Sequence, residues 1–263
     1  MKFKKKNYTP QVDEKDCGCA ALSMILKTYE TEKSLASFLL NQRIKMHKVF
    51  EKIITIFFAF FLFFISQIPI YYVNYKNKEN NLYGISNKIS LPFIFIALFV
   101  IIIAVALGKK RGFYHHSKKT LEFKNIMLIL VLVTISIILN ILINRFIIFH
   151  HLGIMNNQIN IDSILSSLSC LGKIFGIALL APILEESIFR ASIYQIFNND
   201  KVSFLISSLL FAFLHSGYSW VFFTYLPVSL CMTFIYHRRK ILTDSILFHS
   251  LFNLLVLGLN FLI

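Results

Sequence analysis

Long apolar blocks separated by short polar gaps dominate the chain after residue 49. Seven stand out, at roughly 50–73, 89–107, 124–149, 169–197, 202–216, 218–236 and 241–262. An α-helix needs about 20 apolar residues to cross ~30 Å of hydrocarbon. Blocks of this length predict an all-α fold, a polytopic transmembrane helical bundle of about seven spans. Three regions follow from the pattern: a cytosolic basic segment over 1–49, amino-terminal transmembrane helices over 50–160, and a helical core over 161–263. No internal repeat or Pro/Gly-rich linker interrupts it. The first apolar block begins near residue 53, behind a hydrophilic start, and is expected to stay as an anchor rather than be cleaved as a signal.

Composition sharpens this picture. Of 263 residues 56% are hydrophobic and only 15% charged, with a mean hydropathy of +0.66, against about 25% charged in soluble domains. The net charge of +14 would raise nucleic acid as a partner in a soluble protein, but here the cations follow topology. The region to Lys52 holds eleven Lys and Arg, the first loop three, the loop over 109–124 six, and the loop over 150–168 none. Lys201 lies in the fourth loop, the fifth has none, and Arg238, Arg239 and Lys240 fill the sixth. Rich and poor loops alternate, which orients the amino terminus toward the cytoplasm and the carboxyl terminus outside. The expected environment is the lipid bilayer, with no nucleic acid. The four cysteines, Cys17, Cys19, Cys170 and Cys231, form no disulfide framework.

Inside the apolar blocks, ionisable groups are few and fall mainly into three short patterns. The first is Glu185-Glu186-x-x-x-Arg190. On a helix Glu186 and Arg190 are one turn apart with the acid first, the favoured order for an ion pair. Glu185 points about 100° away and lacks that partner. The second is Phe211-x-x-x-His215, a ring and an imidazole on one face. The third is His249-x-x-x-Asn253. Each has a plain structural alternative: an ion pair that clips two helices together, a packed histidine, an interhelical hydrogen bond.

Depth brings the three together. The turn expected at Asn198-Asn199-Asp200 puts Glu185 fifteen residues before Asp200 and His215 fifteen after it. An antiparallel helical hairpin then holds both roughly 22 Å from the turn. From Lys240, His249 and Asn253 are nine and thirteen residues up the last block. Four polar groups from three helices thus fall in one layer, which reads as a site. A carboxylate shielded from water can act as general base, so Glu185, helped by His215, would activate a water. His249 and Asn253 would donate to the oxyanion formed on a carbonyl. No activated Ser or Cys accompanies them, and the chemistry implied is amide hydrolysis by direct attack of water.

These three motifs, in this order on apolar segments, resemble the CAAX protease and bacteriocin-processing (CPBP) family of intramembrane endopeptidases. The similar region covers about 165–257, and Pro182 before the acidic pair also fits. The resemblance implies catalytic roles for Glu185, His215, His249 and Asn253, with Glu186, Arg190 and Phe211 supporting. It also implies a multi-pass protein of a bacterial plasma membrane that acts on a peptide or protein within or at the membrane. Glu185, His215 and His249 offer ligands for a divalent metal such as zinc. Yet His-Glu-x-x-His is missing, and the favoured reading is a metal-independent, glutamate-activated water.

The amino-terminal stretch over 8–30 carries a different signal. Asp16 is a good N-cap, Cys17 sits where a helix should begin, and Ala20, Ala21, Leu22, Met24 and Ile25 continue a helical pattern. A thiol so placed gains nucleophilicity, and Gln11 offers an oxyanion donor. The stretch is similar to the start of the papain-like leader-peptidase domain on exporters of double-glycine bacteriocins. That resemblance stops near residue 40, where membrane spans replace the rest of the domain, and implies a truncated remnant in which Cys17 is not a working nucleophile. A basic amphipathic helix on the anionic inner leaflet is the alternative. His47, His115, His116, His150, His151 and His237 read as solvent-facing or boundary residues.

The function expected is intramembrane endopeptidase, in bacteriocin or peptide maturation or in self-immunity. The rival is a non-catalytic immunity protein that binds a bacteriocin or its receptor. A transporter would predict repeated halves with interrupted helices, and none is visible.

Overall fold

Hydrocarbon offers backbone N–H and C=O groups no partners but one another, so apolar blocks fold as helices. The computed structural model describes residues 24, 35–80, 87–115, 117–152 and 166–262. Gln11, Asp16, Cys17 and Cys19 lie outside them. Among the described residues there are seven long helical runs and no strand. They are α1 (Leu35–Asn80), α2 (Asn87–Lys110), α3 (Phe123–Phe149), α4 (residues 170–196, in five consecutive pieces), α5 (Asp200–Ser216), α6 (Phe222–Arg239) and α7 (Leu242–Leu262).

Three boundaries differ from expectation by four residues or more. α1 starts at Leu35 rather than 50 and ends at Asn80 rather than 73, because its Lys, Glu, Gln and Leu flanks are good helix formers even where they are polar. α6 starts at Phe222 rather than 218. Gly217, at φ +61 and ψ −153, ends α5 in a conformation that side chains disfavour, and the aromatic residues after it form a turn. Asn199 caps α5 as the turn predicts, accepting from the N–H groups of Lys201 and Val202 (2.9 and 3.2 Å).

Four helical stretches are long and apolar enough to cross a membrane: Leu40–Lys78, Lys88–Lys110, Phe123–Phe149 and Leu242–Leu259. The other three are the ones that depart from a plain span. α4 carries the charges, α5 has only 17 residues, and α6 has 18 with Pro227, Thr and Ser among them. Membrane protein is therefore a statement carried by α1, α2, α3 and α7.

Two compact units divide the chain, residues 1–56 and 57–263. In the first, the Thr55 hydroxyl donates to the Glu51 carbonyl one turn back (2.8 Å). In the second, the core lies between α3, α4, α5, α6 and α7, where Ile129, Val133, Phe189, Met232 and Phe248 meet. A second cluster joins Leu62 of α1 and Val100 of α2 to Leu180 and Leu184 of α4.

Polar contacts tie the loops at one end of the second unit together. Arg239 meets Glu122 (2.8 Å), Lys240 meets Asp200 (3.0 Å), Thr120 bonds Thr243 (2.5 Å) and Gln195 donates to the Arg111 carbonyl (3.0 Å). At the other end Ser90 accepts from the Ser169 N–H (2.8 Å). The second, fourth and sixth loops thus share one end. His237 belongs to that end too, where its Nδ1 lies 3.0 Å from the Tyr194 hydroxyl.

Candidate active site

The helix that carries both glutamates is not uniform. In α4, α-helical pieces cover Cys170–Lys173, Ala181–Glu186 and Ile193–Ile196, and π-helical pieces cover Ile174–Leu180 and Ser187–Ser192. π-turns bond each N–H to the carbonyl five residues back and recur at functional sites. The first has a local cause. Pro182 has no N–H, and its ring clashes with the carbonyl four residues earlier; the Ala181 N–H reaches back to Gly176. Gly176 also admits α2, since a Cβ there would stand 3.1 Å from the Phe93 ring. In the second π piece the Phe189 carbonyl accepts from Ser207 of α5 (2.6 Å) and the Ser187 carbonyl from Ser192 (2.9 Å). Glu185 and Glu186 close the α-helical piece between the two.

Glu186 and Arg190 are both fully buried, at 0% exposure. Glu186 Oε2 lies 3.1 Å from Arg190 Nε, the one-turn pair that the spacing predicts. Its other oxygen, Oε1, lies 2.9 Å from His249 Nδ1 on α7. One buried carboxylate therefore serves a cation on its own helix and an imidazole on another, which offsets its own desolvation. The Arg190 guanidinium also rests 4.6 Å over the Phe211 ring.

Glu185 points to a different, partly open side, with 27% of its side chain exposed. Its Oε2 is 3.4 Å from His215 Nε2 and 3.9 Å from His249 Nε2. His215 Nδ1 lies 2.8 Å from the Phe211 carbonyl. A carbonyl only accepts, so Nδ1 carries the proton and Nε2 is the nitrogen offered to Glu185. By the same logic the Glu186 carboxylate takes the Nδ1 proton of His249 and leaves its Nε2 facing Glu185.

Phe211 is the hub of the packing. Its ring stacks on His215 (centroids 4.1 Å, 23°) and meets His249 edge-on (5.7 Å, 77°). Tyr225 of α6 lies 5.4 Å from the His215 ring, a neighbour the motifs do not contain. Ser207, Phe211 and His215 are spaced by four, so the helical face also pointed to Ser207.

Asn253 reaches α4 in another way. Its side-chain N–H donates to the Ile177 carbonyl (2.9 Å). One of its two amide protons is thus committed to α4. His215 also lies nearer a helix end than its count from the turn suggests, being the next-to-last residue of α5.

Among the described residues no group of three His, Cys, Asp or Glu side chains is arranged to hold a metal ion. Both Nδ1 atoms are engaged elsewhere, and the two Nε2 atoms approach the same carboxylate oxygen at unequal distances.

Residues 166–255 match the model of the type II CAAX prenyl endopeptidase Rce1-like family, and residues 5–56 match that of the peptidase C39 family. The UPF0177 protein YajF of Lactococcus lactis subsp. lactis is 60% identical over 195 residues, which cover 74% of this chain and 97% of that protein. The chain belongs to the UPF0177 family. A further relative, the UPF0177 protein YaiF of the same organism, is 43% identical over 80% of this chain and 99% of its own length. A third similarity is short and steep: 37 residues, 14% of this chain, are 89% identical to 5% of the lactococcin-A transport/processing ATP-binding protein LcnC of L. lactis subsp. lactis. No solved structure matches. This UPF0177 chain thus joins a start similar to peptidase C39 to a core similar to a membrane protease family. All seven motif residues fall inside the matched core, and the C39 match runs to residue 56, beyond the 40 expected from the sequence.

Proposed function

We propose that this protein is an intramembrane endopeptidase in which Glu185 activates a water for attack on a peptide carbonyl. The observation that carries the reading is one carboxylate oxygen within 3.4 and 3.9 Å of two imidazole nitrogens from two other helices. Glu185 takes a proton from the water as its oxygen bonds to the carbonyl carbon. The oxyanion then accepts from the uncommitted N–H of Asn253, beside the His249 ring that Glu186 holds through Nδ1. Collapse breaks the C–N bond, and the proton on Glu185 passes to the leaving nitrogen with His215 beside it. Glu186, Arg190 and Phe211 orient these groups without touching substrate. No step runs through a metal.

The alternating cation content of the loops supports a plasma-membrane protein with a cytoplasmic amino terminus. The LcnC-like start supports a setting in bacteriocin or peptide maturation or self-immunity. That same start favours one rival, a non-catalytic immunity protein that binds a bacteriocin or its receptor. Mass spectrometry of membrane peptides from cells with the native protein or Glu185→Gln tests proteolysis: native-only products are expected, and identical peptide sets would refute it. Chelation should leave those products unchanged. Full bacteriocin protection by both Glu185→Ala and His215→Ala would favour the binding rival.

A further inference from the structure

The Ile177 carbonyl has an unusual history along α4. In an α-helix it would accept from residue 181, and in a π-helix from residue 182. The Ala181 N–H is spent on Gly176, and residue 182 is proline. Both backbone donors are therefore lost to Ile177 by the same local event. In hydrocarbon an unpaired carbonyl has no water to turn to. The donor that fills the gap is the side-chain amide of Asn253, 2.9 Å away on α7.

We infer that Asn253 is a positioning residue that replaces the N–H missing at Pro182 and so fixes the register of the glutamate-bearing helix against α7. The bond stands eight residues before Glu185, and His249 on the same face of α7 bonds Glu186 (2.9 Å). α7 thus grips α4 at two points on either side of Pro182, once on backbone and once on carboxylate. A matching grip comes from α5, where Ser207 takes the Phe189 carbonyl of the second π piece (2.6 Å). Side-chain hydrogen bonds to backbone carbonyls thus stand on both sides of the glutamate pair, and the one at Ile177 takes the place of a helical bond. The stability consequence holds whatever reaction the site performs; the consequence for substrate turnover rests on the proteolysis proposed above.

The test is a cycle of Asn253→Ala, Pro182→Ala and the double variant in the full-length protein in detergent micelles. Two readouts are taken, thermal unfolding and the rate at which dicyclohexylcarbodiimide modifies Glu185, followed by mass spectrometry well below the transition. Asn253→Ala is expected to lower Tm by about 5 °C and to change the Glu185 labelling rate by about threefold or more. Adding Pro182→Ala restores a backbone N–H for Ile177, in either helical register, and should recover more than half of the lost Tm. If Asn253→Ala does not accumulate, recovery of folded protein in the double variant is the same result. An unchanged Tm in Asn253→Ala, no recovery on adding Pro182→Ala, or unaltered labelling would each overturn the inference. Neither readout requires cleavage, so a failure here is separable from a failure of the protease reading.

Discussion

α3 and α4 are equally long and solve the membrane problem in opposite ways. α3 is one uninterrupted α-helix of 27 residues, its backbone satisfied from within and its face toward lipid lined by residues such as Val131 and Ile135. α4 covers as many residues in five pieces, two of them π-helical, and its Ile177 and Phe189 carbonyls accept from side chains on α7 and α5. A self-sufficient helix needs its neighbours only for packing. A helix that carries buried charge depends on its neighbours for hydrogen bonds as well, and that dependence ties its functional groups to specific partners.

Substitutions can break this contrast at graded strength. The largest effect is expected from Glu185→Gln, which should reduce the appearance of cleaved membrane peptides by about a hundred- to ten-thousand-fold while leaving thermal unfolding close to native. Arg190→Met strands the fully buried Glu186 carboxylate, and breaking such a pair costs about 3–5 kcal/mol. The drop should be visible in thermal unfolding in detergent, and a second substitution, Glu186→Leu, should restore much of it. Ser207→Ala removes the hydroxyl from the Phe189 carbonyl and should cost about 1 kcal/mol by the same measurement. The comparison is sharpened by Ile135→Ala in α3, a residue 43% exposed, where a change within about 0.5 kcal/mol is expected.

Much of the helix layout was legible because hydrocarbon imposes a single local rule, and blocks of apolar residues express it directly. The miss at α6 has the same origin: Tyr218 and Trp220 read as apolar, although Gly217 had already ended the helix. The Glu186–Arg190 pair was legible for being local, one turn apart. The bond from Glu186 to His249 spans 63 positions, and no spacing rule encodes it. The contact of Asn253 with the Ile177 carbonyl was not legible, because that carbonyl is freed by a backbone register that only Pro182 hints at. Side-chain chemistry could be read from motifs; the hydrogen-bond debts of an irregular backbone could not.

α5 is 17 residues long, about 25 Å at 1.5 Å per residue, and so is shorter than the ~30 Å hydrocarbon layer. His215 is its next-to-last residue, and the exposed Tyr218 and Trp220 follow at once. A bilayer accommodates a short apolar segment by thinning around it. Around α5 such thinning would bring lipid headgroups, and the hydration they carry, down beside Glu185. On the protease reading proposed above, a dimple in the leaflet would then deliver water to Glu185 without a tunnel through the protein.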